Sequence, residues 1–309
     1  METKPKIAVL IPCLNEEQTI GKVLRDVAAE LPEAELFVFD NCCTDNTAAI
    51  ARNQGATVIK EPRMGKGFVV DSMFRRIEAD YYVMVDGDDT YPVERVHDLL
   101  EPVIAGNADM VVGARLSQHT KESFRSLHVV GNNLVRGIIN CIFHTKLTDV
   151  LSGFRAFNGR IVQCVPVVSS GFEIETEMTI QMLYHTLTIL EIQVPYRERP
   201  AGSVSKLHTF SDGFRVMWKI FTLLRSFKPL TFFGGLGILF FILGVLAGIP
   251  PIVGFIASGY TEVRRFPLAI LATGLMSLSF TCTFLGILLH SINYQFKELH
   301  NIITRQSCR

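Results

Sequence analysis

The sequence predicts an α/β fold in which a mostly parallel β-sheet with helices on both faces precedes amphipathic helices and a hairpin of two transmembrane helices. Three observations predict it. The first half of the chain alternates short β-rich runs with segments of helical periodicity. Polar side chains cluster directly after three of the predicted strands. Two long apolar stretches stand near the C-terminus.

The first half reads as alternating strands and helices. Apolar, β-branched runs bounded by polar residues predict strands at 7–11, 35–40, 57–60, 81–85 and 110–113. Longer runs with apolar residues every three or four positions predict helices at 16–31, 44–54, 67–79 and 92–104. Strands that alternate with helices indicate a parallel sheet covered on both faces.

The polar clusters at 12–16, 40–42 and 86–89 follow the first, second and fourth predicted strands. The C-terminal ends of parallel strands form the edge of the sheet where ligands bind, so these clusters predict one shared site. Asp86 and Asp88 have the spacing at which two carboxylates converge on Mg²⁺ or Mn²⁺, with a diphosphate supplying further oxygens. An acidic surface turn is the alternative interpretation.

The composition excludes several classes of protein. The 309 residues carry 30 Lys and Arg against 30 Asp and Glu, so the net charge is zero and no nucleic-acid partner is expected. No glycine-rich fingerprint follows the first strand, which argues against a dinucleotide cofactor. The seven cysteines include no group at zinc spacing, which indicates reduced thiols in a cytosolic domain.

Hydrophobic residues concentrate near the C-terminus and raise the mean hydropathy to +0.28. The stretches at about 231–256 and 266–292 contain no Asp, Glu, Lys or Arg. Each is longer than the roughly 20 residues that cross a bilayer as a helix, whereas the alternative, a buried core helix, keeps a polar stripe. Pro250-Pro251 predicts a kink or an early exit from the hydrocarbon. Glycines in the first stretch are compatible with a homo-oligomer.

Two amphipathic stretches favour contact with a lipid bilayer. Residues 116–148 mix apolar side chains with arginine and histidine, as at a membrane surface with anionic headgroups, although an ordinary helix packed on the sheet has the same pattern. Residues 208–228 are rich in aromatic side chains and run into the first apolar stretch, which predicts an interfacial helix. The apolar run near the N-terminus is too short for a signal peptide, so we expect both termini in the cytoplasm.

Five short motifs stand along the first part of the chain: VLIPCLNEE at 9–17, DN at 40–41, TDNT at 44–47, GKG at 65–67 and DGD at 86–88. Together they resemble glycosyltransferase family 2, whose members have the Rossmann-like GT-A fold. DVLSGFRAF at 149–157, and SKL at 205–207 after Arg199, resemble the polyprenyl-phosphate sugar synthases, the dolichyl-phosphate mannose and glucose synthase group. The resemblance covers roughly residues 5–210. Together with the amphipathic and apolar stretches, it predicts a catalytic domain at 1–207, an interface helix at 208–228, a transmembrane hairpin at 229–292 and a cytoplasmic tail at 293–309.

The resemblance also implies roles for individual residues. The residues implied for the nucleotide-sugar donor are Pro12, Asn15, Glu16, Asp40, Lys66, Asp86, Gly87, Asp88, Arg199 and Lys206. Those implied for the acceptor are Arg115, Arg125, Ser152 and Gly153. Asp86 and Asp88 are expected to hold Mg²⁺ or Mn²⁺, and Asp88, Arg115 and Arg125 are expected to be catalytic.

The implied reaction is an inverting transfer of a hexose or N-acetylhexosamine from a UDP- or GDP-sugar to dolichyl or undecaprenyl phosphate. A phosphate acceptor is already anionic at neutral pH, so positioning and electrostatics can carry the reaction without a strong general base. The chain departs from the family pattern at Thr90, where many members have glutamine, and the neighbouring Asp89 is an extra carboxylate. The segment between Arg199 and Lys206 is also one residue longer than usual.

Three other functions remain open from the sequence. A processive synthase, or another membrane glycosyltransferase with a non-lipid acceptor, is the first; processive enzymes usually carry a Gln-x-x-Arg-Trp motif, and here Met217 precedes the single Trp218. The second is a non-catalytic nucleotide-binding membrane scaffold. The third is a nucleotidyltransferase on a similar sheet, for which a membrane hairpin has no evident use.

Overall fold

The computed structural model describes residues 4–115, 125–171, 173–197, 209–262 and 265–307, without the side chains of 125–132, 163–164, 209–216, 219 and 299–307. The chain divides into two compact units, Met1–Ile220 and Phe221–Arg309. The first unit contains the sheet, and the second contains the two long apolar helices.

Strands and helices alternate through the first unit as the sequence predicts. The strands are β1 (Ile7–Cys13), β2 (Glu35–Asp40), β3 (Thr57–Lys60), β4 (Tyr81–Met84), β5 (Met110–Arg115), β6 (Arg155–Asn158) and β7 (Ile189–Val194). The helices are α1 (Ile20–Glu30), α2 (Thr47–Asn53), α3 (Lys66–Arg76), α4 (Val96–Ile104), α5 (Arg125–Phe143), α6 (Gly159–Cys164), α7 (Ile174–Tyr184), α8 (Thr209–Phe227), α9 (Pro229–Ala257) and α10 (Phe266–Ser307). A short 3₁₀ turn, Val93–Arg95, precedes α4.

The seven strands form one mostly parallel sheet in the order β3-β2-β1-β4-β6-β5-β7. Only β6 runs antiparallel, paired with β4 on one side and β5 on the other. The predicted α/β class is confirmed. Because β6 runs the opposite way, it begins at the edge where the parallel strands end, and the residues that precede it join the candidate site.

Two hydrophobic clusters cover the two faces of the sheet. Alternate residues of a strand point to opposite faces, so Val9 and Ile11 of β1 enter one cluster and Ala8 and Leu10 enter the other. Helices α1 and α4 contribute to the first cluster, and α3 and α7 to the second. All residues of α7 from Ile174 to Met182 are buried, polar ones included.

In the second unit, α9 continues through Pro250 and Pro251 to Ala257. The kink or early exit from the hydrocarbon at these prolines stays a prediction. Apolar helices tolerate proline where neighbouring groups satisfy the freed carbonyls. Helices α9 and α10 pack closely at Gly237, where the Ser279 hydroxyl donates to the Gly237 carbonyl at 2.8 Å. A Cβ at Gly237 would lie 2.6 Å from Thr283 Oγ1, so only glycine fits there.

Within the described part of the chain, two helices are long and apolar enough to cross a membrane, as the sequence predicts. The apolar spans, Pro229–Ala257 and Phe266–Glu298, have mean hydropathies of 2.5 and 1.8. Only 17% and 11% of their most apolar windows are buried, unlike the core helix of a soluble protein. Helix α10 extends the predicted second span without a break to Ser307, through most of the segment expected as a tail.

Candidate active site

The carboxylates of Asp86 and Asp88 stand at the end of β4, in the middle of the sheet. Asp88 is buried, and its Oδ1 accepts hydrogen bonds from the Thr90 N–H at 3.2 Å and the Thr90 hydroxyl at 2.6 Å. Thr90, the residue that departs from the family pattern, therefore orients the Asp88 carboxylate.

Gly87 lets the loop between these two aspartates press against β1. A Cβ at Gly87 would lie 2.7 Å from the Cys13 sulfur, and the Gly87 carbonyl accepts a hydrogen bond from the Thr19 hydroxyl at 2.6 Å. These contacts tie the loop to the segment that leads into α1. A side chain at position 87 would overlap with Cys13.

Asp89 faces away from this pair. Its backbone is left-handed, with φ of 57°, a conformation that aspartate and asparagine tolerate. Its carboxylate lies 2.7 Å from Lys22 Nζ on α1 and 3.8 Å from Arg197 Nη1. The extra carboxylate therefore anchors the loop at its outer side.

The ammonium of Lys66, at the start of α3, lies between two carboxylates. Its Nζ is 2.6 Å from Asp86 Oδ1 and 2.6 Å from Glu175 Oε1 of α7. Burial by itself lowers the pKa of Lys66, but the charges of Asp86 and Glu175 outweigh it and hold the pKa above its ordinary value. Lys66 therefore remains a cation beside the predicted diphosphate site.

The glycine-lysine-glycine turn is held from two sides. The buried Asn41 side chain, just after β2, donates to the Arg63 carbonyl at 2.8 Å and accepts from the Gly65 N–H at 2.8 Å. On the other side, the Gly67 N–H donates to the Ser170 carbonyl at 3.1 Å. These bonds fix the direction in which Lys66 leaves the turn.

We expect Gly67→Ala to lower the free energy of unfolding by about 1–3 kcal/mol. Its Cβ would lie 2.0 Å from the Ser169 carbonyl oxygen, a backbone atom that cannot rotate away. Thermal denaturation of the purified protein measures the effect. Gly137→Ala on α5 is the control, because no described atom lies within 4 Å of its added Cβ. An equal Tm for both variants would contradict the expected overlap.

The residues predicted to frame the nucleoside meet where β1 and β2 end. Asp40 Oδ1 accepts from the Cys43 N–H at 2.7 Å. Asn15 has a left-handed φ of 52°, and its Oδ1 accepts from the Thr44 N–H at 2.7 Å. The N–H of the buried Glu16 donates to a threonine hydroxyl of α2 at 2.8 Å, and Pro12 lies half-buried at the end of β1. The two loops are cross-linked into one wall.

Among the residues predicted for the acceptor, Arg115 at the end of β5 is clamped by Asp149. Its Nε lies 2.6 Å from Asp149 Oδ2 and its Nη2 lies 2.9 Å from Oδ1, a bidentate pair. Burial raises the pKa of the Asp149 carboxyl, but the hydrogen bonds and charge of Arg115 outweigh it and lower the pKa. The guanidinium also lies 5.4 Å from the centroid of the Tyr196 ring. Among the described residues, Arg115 Nη1 has no hydrogen-bond partner, so it can face an anionic ligand.

Ser152 and Gly153 lie between this arginine and Asp86. The Gly153 N–H donates to the Tyr91 hydroxyl at 2.9 Å, and the Ser152 hydroxyl donates to the Gly113 carbonyl of β5 at 2.6 Å. The fully buried Arg155 supports the loop from below, donating to the Ser152 carbonyl at 2.8 Å. A Cβ at Gly153 would lie 2.5 Å from Asp86 Oδ2. The carboxylate predicted to bind the donor and the loop predicted to line the acceptor are therefore in contact.

Three predicted site residues are not placed by this geometry. Arg125 begins helix α5, but its side chain lies outside the described residues. Arg199 and Lys206 lie outside the described residues altogether. Their implied roles stay predictions.

Residues 8–165 match the family model described as glycosyl transferase family 2, which covers just over half of the chain. The chain belongs to glycosyl transferase family 2. Its DGD motif and its glycine-lysine-glycine turn both lie inside the matched range.

Two relatives of this family 2 glycosyltransferase come from Haloferax volcanii. Glycosyltransferase AglJ is 31% identical over 238 residues, which are 77% of this chain and 78% of the relative. A dolichyl-phosphate hexose transferase is 30% identical over 208 residues, 67% and 89% of the two chains. Glucosyl-3-phosphoglycerate synthase from Mycobacterium tuberculosis, crystallised with Mn²⁺, UDP and glucosyl-3-phosphoglycerate, superposes with a TM-score of 0.57 at 22% identity, over 71% and 79% of the two chains. That last likeness confirms the GT-A fold.

The structure adds four residues to the site of this family 2 glycosyltransferase that the sequence did not single out: Asn41, Tyr91, Asp149 and Glu175. Asn41 lies in the polar cluster at 40–42 and in a quoted motif, and Asp149 lies in a quoted motif, but neither was given a role of its own. Tyr91 and Glu175 had no sequence signal, because an isolated tyrosine or glutamate is common anywhere in a chain.

The site fits the divalent metal that the family implies. Asp86 and Asp88 are hard oxygen donors, and Asp86 already binds a cationic group, the Lys66 ammonium, at 2.6 Å. The described residues contain no group of three or more potential protein ligands, so a diphosphate and water would complete the coordination, as is usual for Mg²⁺.

We expect Gly153→Ala to reduce transferase activity at least about tenfold while the Tm changes little. The new Cβ would displace the Asp86 carboxylate, a short side-chain end that can move without disturbing the backbone. Initial rates and thermal denaturation of the same preparation separate the two effects, again with Gly137→Ala as the control. Activity equal to that of the control would show that Asp86 tolerates displacement.

Proposed function

We propose that this family 2 glycosyltransferase transfers a hexose or N-acetylhexosamine from a UDP- or GDP-sugar to polyprenyl phosphate, either dolichyl or undecaprenyl, with inversion. The contact between Gly153 and Asp86 carries the proposal. It joins the loop that clamps Arg115 through Asp149 to the carboxylate expected at the donor diphosphate. A donor and an anionic acceptor can therefore be held side by side.

On the donor side, Asp40, Asn15, Glu16 and Pro12 would frame the nucleoside. Asp86 and Asp88 would hold Mg²⁺ or Mn²⁺, whose charge offsets that of the leaving nucleoside diphosphate. Lys66 adds a fixed positive charge beside Asp86. Arg199 and Lys206, which the resemblance places over the donor phosphates, remain part of the proposal.

On the acceptor side, Arg115 would hold the acceptor phosphate through the nitrogen that Asp149 leaves available, with Arg125 as the proposed second arginine. An oxygen of the acceptor phosphate forms the bond to the anomeric carbon while the bond from that carbon to the diphosphate breaks on the opposite face. The phosphate is already ionised, so Ser152 and Gly153 need only shape the acceptor side. The dolichyl-phosphate hexose transferase among the relatives supports this acceptor.

The two apolar helices support a reaction at a membrane. We propose that residues 1–207 form a cytoplasmic catalytic domain, that 116–148 and 208–228 lie at the membrane surface, and that 229–292 form the hairpin. Both termini are then cytoplasmic. A homo-oligomer remains a prediction, and Gly237 is already engaged within the hairpin.

Transfer of radiolabelled sugar from a panel of UDP- and GDP-sugars into an organic-extractable lipid tests the proposal, in membranes supplied with polyprenyl phosphate and Mn²⁺. We expect label from one donor, and loss of label with EDTA. Label in a water-soluble product alone would indicate a non-lipid acceptor. Nucleotide binding without any transfer would favour a non-catalytic scaffold.

A further inference from the structure

Glu175 is a buried carboxylate on α7 that reaches the site through Lys66. Its side chain is 4% exposed and lies 2.6 Å from Lys66 Nζ. Helix α7 is enclosed on every side from Ile174 to Met182, so its positions would ordinarily be apolar. A buried carboxylate is stable only when it is paired with a cation or hydrogen-bonded. The partner of Glu175 therefore indicates its role.

Lys66, Asp86 and Glu175 form a trio in which two carboxylates share one ammonium. Both contacts are 2.6 Å, so neither carboxylate holds the ammonium alone. The side chain of Asp86 is 25% exposed, whereas that of Glu175 is sealed in protein. Of the two partners, Asp86 can therefore turn to a ligand in the site, and Glu175 stays with Lys66.

We propose that Glu175 is a positioning residue for the donor: it keeps the Lys66 ammonium beside Asp86, where the ammonium meets the donor diphosphate, and prevents it from pairing with Asp86 alone. This inference rests on the proposed function, in which Asp86 and Lys66 bind the diphosphate. Without Glu175, the ammonium would collapse onto Asp86, neutralise its carboxylate and compete with the divalent cation expected there.

Calorimetric titration of the full-length protein in detergent, with UDP and with GDP in the presence of Mn²⁺, tests this role without requiring turnover. We expect Glu175→Gln and Lys66→Met each to weaken binding of the preferred nucleotide about tenfold, the cost of one charge-assisted hydrogen bond. The double variant should bind as weakly as Lys66→Met alone, because the proposed effect of Glu175 on the donor passes through Lys66. It also removes both charges together, so it is expected to fold even if Glu175→Gln does not.

Glu173→Gln is the matched control, since Glu173 is a nearby buried glutamate whose carboxylate accepts from the Gly171 N–H at 3.2 Å. Its nucleotide affinity should stay within about twofold of the wild type. Wild-type affinity in Glu175→Gln, or a double variant that binds more weakly than Lys66→Met, would overturn this inference and leave the proposed function unaffected. A wild type that binds neither nucleotide would contradict the proposed function, and this inference with it.

Discussion

Replacing Asp88 by asparagine is expected to lower kcat about 10³-fold, because it removes a negative oxygen from the group that would hold the divalent cation and so forfeits several kcal/mol of charge stabilisation. Asparagine keeps the size of the side chain and an oxygen for the Thr90 hydroxyl and N–H. The loop should therefore keep its shape. Initial rates with saturating donor and acceptor measure the effect, and the Tm reports on folding.

The neighbouring Asp89→Asn is the control for this substitution. It removes one carboxylate from the same loop, and asparagine tolerates the left-handed φ of 57°. Its lost partners are Lys22 and Arg197, whose side chains are both half-exposed, so the two pairs contribute little. We expect its activity within about twofold of the wild type. Comparable losses in both variants would mean that the charge of the loop, rather than a ligand role of Asp88, matters.

Replacing Arg115 by lysine is expected to lower kcat/KM for polyprenyl phosphate about 10²-fold. The guanidinium binds both oxygens of Asp149 and keeps a third nitrogen for a ligand, whereas one ammonium cannot do both. Donor binding should not change. Initial rates at varied acceptor concentration, together with calorimetric nucleotide binding, separate the two sides of the site.

Arg75→Lys on α3 is the matched control, because Arg75 is an exposed partner of Asp71 on the surface of the same unit. Its kinetic constants should equal those of the wild type. If Arg115→Lys instead weakens nucleotide binding and leaves the acceptor KM unchanged, the arginine belongs to the donor side and the assignment of Asp149 and its loop must be reversed.

The sequence predicted those strands and helices in which apolar residues recur at regular spacing. The observed bounds of β2 and β3 equal the predicted bounds. As expected, Asp40 ends β2, and Asp86 and Asp88 follow β4. Helix α1 begins at Ile20 instead of 16 because the preceding residues serve the loops: the Thr19 hydroxyl bonds to the Gly87 carbonyl. Tertiary contacts of this kind have no signature in a single segment.

Other elements lacked a usable signal altogether. Strand β6 has four residues and starts with Arg155, which is fully buried, so it shows no alternation of polar and apolar side chains. Helix α7 is buried on all faces and carries glutamates, so it has no apolar stripe. The role of Glu175 depends on Lys66, a residue more than 100 positions earlier in the chain. Only the assembled structure brings the two together.

The place of β6 in the sheet has a consequence for the order in which the protein can form during synthesis. Strands β1 to β4 pair with one another, and all four belong to the part of the chain that is synthesised first. Strand β5 has no contact with β4 in the sheet and joins it only through β6, which leaves the ribosome later. Gly153, which lies just before β6, contacts Asp86 once this strand has joined the sheet. Both sides of the site can therefore meet before the apolar hairpin has been translated.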